Sequence, residues 1–235
     1  VKRSKRYNSA ATLIELRVTY GLDEAIEKLR ASATAGFDET AEIAIVLGIK
    51  ASQVSVRGTC NLPHGTGKTA RVLAFAKGES IAEAEAAGAD FVGGEDLAKK
   101  IQEGWLEFDK VVATPDMMPV VGRLGKLLGP RGLMPSPKTG TVTKDIGRVI
   151  QELKRGMVEF RNDRHGVIHT IFGRMSFDPP LLKENLVAVL RSVTERKPDE
   201  GVKGRFIRKV TVSSTMGPGI TLDAAEVNAV TERPE

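Results

Sequence analysis

The sequence predicts two domains, a discontinuous α+β domain interrupted by an inserted α/β domain of Rossmann-like, three-layer type. Three observations carry this. Between Arg71 and Arg155, short apolar runs of strand character alternate with helical patterns. That is the signature of a parallel sheet covered on both faces. The first strand-like segment, residues 42–49, has no obvious partner before that alternation begins. Glycine-bearing junctions flank the unit, one at residues 62–68 and one at Gly156. Insertion satisfies all three. Residues 1–67 and 157–235 make one domain, 68–156 make the other, and crossings near Gly67 and Gly156 would act as a hinge.

The elements follow in order. A basic arm, Lys2, Arg3, Lys5 and Arg6, leads into an apolar stretch. Residues 22–33 read as an amphipathic helix with Ala25, Ile26 and Leu29 as its buried stripe. Gly36 ends that pattern, residues 37–40 turn, and 42–49 alternate as a strand with Ile43, Ile45 and Leu47 on one face. In the insert, strands are expected at 71–76, 90–92 and 108–113, and helices at 81–87, 97–103 and about 143–155. Beyond Gly156, strands are expected at 158–162, 167–172 and 207–213. A helix is expected at 179–194, with a proline in its first turn and Leu182, Leu186, Val189, Leu190 and Val193 as its apolar face.

Composition narrows the function. The chain has 235 residues, 41% of them hydrophobic, enough for a core in each of two domains of ordinary size. It holds no apolar run of membrane-spanning length, and no apolar stretch follows the charged amino-terminal residues as in a signal peptide. Its single cysteine, Cys60, rules out an internal disulfide and suits a reducing cytoplasm. A net charge of +5 favours a polyanionic partner. With only 5% aromatics, a row of stacked bases is not what holds it. Recognition by backbone shape is expected instead.

Chemistry is absent where motifs tempt. Gly65-Thr66-Gly67-Lys68-Thr69 lacks the earlier glycine of a phosphate-binding loop, because Leu62 stands there. His165 and His169, in or beside a strand, are too far apart to share a zinc ion. Gly122, Gly125 and Gly129 follow a helix and do not give the dinucleotide fingerprint. Neither a catalytic constellation, a metal site nor a cofactor site is expected.

The least ordinary stretch is residues 120–140. It packs five glycines, three prolines and four positive charges, with no acid, into 21 residues. Met118, Val121, Leu124 and Leu128 recur at helical spacing and lead into a shaped loop. The run from Gly122 to Pro135, ending Leu-Gly-Pro-Arg-Gly-Leu-Met-Pro, resembles the signature of the bacterial family of large-subunit ribosomal protein number one. The same resemblance includes Leu62-Pro63-His64-Gly65-Thr66-Gly67-Lys68, Ala87-Gly88-Ala89, Glu95-Asp96-Leu97, Arg161-Asn162-Asp163 and Ser214-Thr215-Met216-Gly217. Separated motifs in the right order cover nearly the whole chain.

The resemblance implies a structural protein at the base of the large subunit's mobile side stalk, monomeric within a cytoplasmic ribosome. It implies binding to large-subunit ribosomal RNA, assistance to release of deacylated transfer RNA from the exit site, and repression of its own messenger RNA. Thr215, Met216 and Gly217 match the family's RNA-contacting triad, and Ser214 precedes them at a strand end. Phe37 and Thr40 form a second cluster, with Phe37 lying against ribose. Family members often carry Lys where this chain has Gly36 and Ser where it has Thr40. Arg164, His169 and the basic arm are further RNA-binding candidates. The competing class is an α/β enzyme acting on a nucleotide or phosphorylated substrate, for which only the parallel-sheet insert and the near-miss glycine motif speak.

Overall fold

The computed structural model describes residues 3–15, 17–51 and 53–232. Lys2 lies outside them. The order is α1 (Lys5–Ala11), α2 (Leu22–Ser32), β1 (Thr40–Ile49), β2 (Arg57–Asn61), β3 (Val72–Phe75), α3 (Glu79–Ala86), β4 (Phe91–Gly93), α4 (Glu95–Gln102) and β5 (Lys110–Ala113). There follow α5 (Met118–Arg123), α6 (Gly125–Leu128), α7 (Ile146–Arg155), β6 (Met157–Arg161), β7 (Val167–Arg174), α8 (Pro179–Glu195), β8 (Val202–Ser214), β9 (Ile220–Thr221) and α9 (Ala224–Glu232). The fold is mixed α and β, and its contacts divide into two compact units, Val1–Gly67 with Val158–Glu235, and Lys68–Met157.

The first unit is built on a four-stranded sheet in the order β7-β1-β8-β9. Its strands pair antiparallel throughout. Both long partners of β1 come after residue 166, so that strand had no partner to find earlier in the chain. Ala41, Ile43, Ile45 and Leu47 of β1 point into the core and meet α2 and α8. Glu42 and Ala44 stand on the opposite, open face. A helix-forming sequence needs its first amide groups satisfied. The N-cap of α2 is Gly21, which has no side chain to do so. Glu226 of α9 supplies the acceptor, taking the Leu22 N–H at 2.9 Å. The buried Asn185 of α8 accepts the His64 N–H at 3.0 Å and donates to the carbonyls of Gly65 and Phe172. It therefore fixes residues 64–65 to the helix.

The second unit holds a three-stranded parallel sheet in the order β4-β3-β5. Strand β3 is buried on both sides, as a covered parallel strand must be. Leu73 and Phe75 face one apolar cluster with α4, α5 and α6, while Val72 and Ala74 face another with α3 and α7. The expected lead-in helix to residue 128 breaks at Leu124 and resumes as α6. Helix α7 starts later than expected, at Ile146, because the Asp145 carboxylate caps it by accepting the Arg148 N–H. Met157, expected beyond the insert, packs into the second cluster of this unit.

Candidate nucleic-acid interface

One end of the four-stranded sheet gathers two loops, residues 33–39 before β1 and residues 215–219 after β8. They meet on Glu39, which is 1% exposed. Its Oε1 accepts the Ala35 N–H at 2.9 Å. Its Oε2 accepts the Met216 N–H at 2.8 Å and the Ser214 hydroxyl at 2.7 Å. Burial works to raise this carboxyl's pKa, but the Met216 and Ala35 amides, the Ser214 hydroxyl and the nearby Arg6 charge outweigh it. The group is held below the usual carboxylate range and is ionised at neutral pH.

A second set of bonds ties the loops at their rim. The Thr40 N–H donates to Thr215 Oγ1 at 2.9 Å, and the Thr215 N–H donates to the Thr40 carbonyl at 3.1 Å. Arg6 donates to Thr34 Oγ1 at 3.3 Å and to the Met216 carbonyl at 3.2 Å. The Met216 backbone is thus held at its N–H by Glu39 and at its C=O by Arg6. Asp38 accepts from the Ser176 amide and hydroxyl and from Arg174, which closes the side toward β7. On this frame two large apolar side chains stand in solvent, Phe37 at 57% and Met216 at 49% exposed. Beside them the open sheet face forms a shallow concavity of about 220 Å³ lined by Glu42, Ala44, His169, Ile171 and Ser213 among others.

Phe37, Thr40, Thr215, Met216 and Gly217 come together at this end, and His169 stands on the adjoining open face opposite Ala44. In the basic arm, residues 5–11 form helix α1. Arg6 is committed to internal bonds, and the Arg3 guanidinium lies 4.1 Å over the Tyr7 ring. Lys5 is exposed on α1. Ser214 is 2% exposed and its hydroxyl donates to Glu39, so it holds the loop from within. Arg164 is exposed in the turn before β7, whereas Thr40 pairs with Arg174 at the far end of that strand. The two are therefore separated by roughly 20 Å along the sheet.

Gly217 is required for a reason other than a left-handed backbone, since its φ is not positive. A Cβ there would sit 2.4 Å from Ser214 Oγ. Glu39 went unread in the sequence because the bonds that define it reach 175 and 177 positions away, and an acid before a strand carries no signal of its own.

An antiparallel sheet with one open face, rigid loops and small hydroxyls suits recognition of RNA by shape. The chain belongs to the Ribosomal protein L1p/L10e family, whose sequence model matches residues 29–218. It is similar to the protein named Large ribosomal subunit protein uL1 in Thermobifida fusca (strain YX), at 54% identity over 95% of each chain. The protein of the same name in Kosmotoga olearia is 53% identical over 96% of this chain and 98% of its own. That of Cutibacterium acnes is 54% identical over 95% and 97%. This is therefore a large-subunit ribosomal protein of the cytoplasmic ribosome, and the enzyme alternative falls. Separately, among the described residues no helix is long and apolar enough to cross a membrane.

Proposed function

We propose that this protein binds large-subunit ribosomal RNA of the mobile side stalk through the end of the sheet where residues 33–40 and 214–217 meet. The observation that carries the reading is the convergence of both loops on the buried Glu39, which leaves Phe37 and Met216 exposed on a rigid support. An exposed Phe and an exposed Met held on a hydrogen-bonded frame are suited to lie against ribose in a shallow minor groove. His169 and the open face extend the contact, and Arg3 and Lys5 add charge near the phosphates. The discontinuous domain, residues 1–67 and 158–235, carries this surface. The inserted domain, 68–157, contributes a secondary contact and helps guide deacylated transfer RNA from the exit site. The same surface, offered the chain's own messenger RNA, represses its translation.

The test is a titration of the intact protein, and of a chain in which residue 67 is joined to 158 by a short glycine linker. Each is measured against a side-stalk ribosomal RNA transcript and a random duplex. The shortened chain is expected to keep most of the affinity and the preference. If four to six phosphates are neutralised, the log–log salt slope is roughly −3 to −5. A folded shortened chain that binds only at the non-specific level would overturn the placement. Lack of preference in the intact protein would overturn the function.

A further inference from the structure

We infer that Glu39 is the positioning residue of the RNA surface, setting the spacing and orientation of Phe37 and Thr40 against Thr215, Met216 and Gly217 without touching RNA itself. This rests on the RNA-binding reading of those five residues. The two loops are far apart in sequence, and the carboxylate bridges them directly, through the Ala35 amide on one side and the Met216 amide and Ser214 hydroxyl on the other. Glu39 and Ser214 are both buried, at 1% and 2% exposed, so neither presents a polar atom to a ligand. Along the chain, Glu39 lies between Phe37 and Thr40, and its own carbonyl accepts the Met175 N–H at 2.9 Å, which anchors it to the end of β7. Gly217 closes over the same bond, since any Cβ there would collide with Ser214 Oγ. The acid is thus the common support of both contact loops, although an apolar side chain would fill a buried position at lower desolvation cost.

The chemistry makes the inference separable from mere stability. Glu39→Gln keeps volume and one acceptor but turns the other oxygen into an NH2 group. One of the Ala35 and Met216 amides then faces a donor and loses its partner. The loop concerned is released while the rest of the core is intact. A residue that only stabilises the fold lowers specific and non-specific binding together, through the folded fraction. A residue that sets loop geometry lowers the specific affinity alone.

The experiment uses the intact protein and three variants, Glu39→Gln, Ser214→Ala and Met216→Ala. Each is titrated against a side-stalk ribosomal RNA transcript and a random duplex of equal length at several salt concentrations. Glu39→Gln is expected to lower the ratio of specific to non-specific affinity about tenfold with an unchanged salt slope. Ser214→Ala, which removes one of the three bonds, is expected to lower it about threefold. Met216→Ala reports on the surface itself. If it weakens specific binding while Glu39→Gln and Ser214→Ala leave the ratio at the wild-type value, the inference is overturned and the surface stands. If Met216→Ala has no effect, the surface reading fails and the inference with it. Should Glu39→Gln not fold, Ser214→Ala alone decides, because its hydroxyl reaches RNA only through Glu39.

Discussion

Gly217→Ala perturbs the site by a single methyl group, and its cost follows from the geometry. The backbone there is not left-handed, so alanine meets no conformational barrier. The obstacle is space. The new Cβ would lie 2.4 Å from Ser214 Oγ, well inside ordinary contact, whereas Ser214 Cβ is a comfortable 3.5 Å away. The hydroxyl must swing off Glu39 and give up a 2.7 Å bond to a buried carboxylate. A hydrogen bond to a charged group contributes about 1.5–3 kcal/mol. For a unit of this size that is a fall in Tm of about 3–12 °C. Ser214→Ala removes the same bond and incurs a comparable cost. With the hydroxyl gone, however, the added methyl has room, so the double variant should be no less stable than Ser214→Ala alone. The assay is chemical denaturation, with the buried Tyr20 reporting on the discontinuous unit and Trp105 on the other, because two units need not unfold together. Additive costs in the double variant, or a neutral Gly217→Ala, would refute the steric argument.

Gly36→Lys finds open space and an ordinary backbone, so it should fold normally, tighten RNA binding and steepen the salt slope by about one; an unchanged slope would show that position 36 does not face phosphate. The carboxyl of Glu39 is held below its unfolded value, so its stabilisation is complete above that unfolded value, about 4.3, and is lost as pH falls through the folded one. Urea midpoints between pH 7 and pH 3 should therefore drop more steeply for the wild type than for Glu39→Gln, and parallel curves would contradict this. Asn185→Ala strips partners from the His64 amide and the Gly65 and Phe172 carbonyls, at an expected cost of about 3 kcal/mol or more. A denaturation midpoint within error of wild type would exclude that role.

Much of the fold was legible because burial imposes periodicity. Strand β1 alternates cleanly, and α8 carries a continuous apolar stripe on a prolyl start. The limits are equally physical. Strand β8 begins at Val202, five residues before the expected start. Its pairing with β1 shifts register around Val46 and Leu47, which places Phe206 and Ile207 both inward and breaks the alternation. Strand β2 buries only Gly58 and Cys60, and α9 buries Val227 as its one large residue, so neither displays a pattern. In the candidate site, Phe37, Thr40 and residues 215–217 are singled out by family resemblance. Their support was not legible, because Glu39, Arg6 and Ser214 act through contacts across 175 to 210 positions of sequence. Ser214 in particular looks like an accessible hydroxyl until the fold turns it inward.

If RNA is held where these two loops meet, amide hydrogen exchange of the intact protein with and without side-stalk ribosomal RNA will register it at those residues. New protection is expected in residues 34–40 and 214–217, with less on the open face around His169. Protection confined to the turn at 163–166 or to the basic stretch at 120–140, with both loops exchanging as in the free protein, would contradict it.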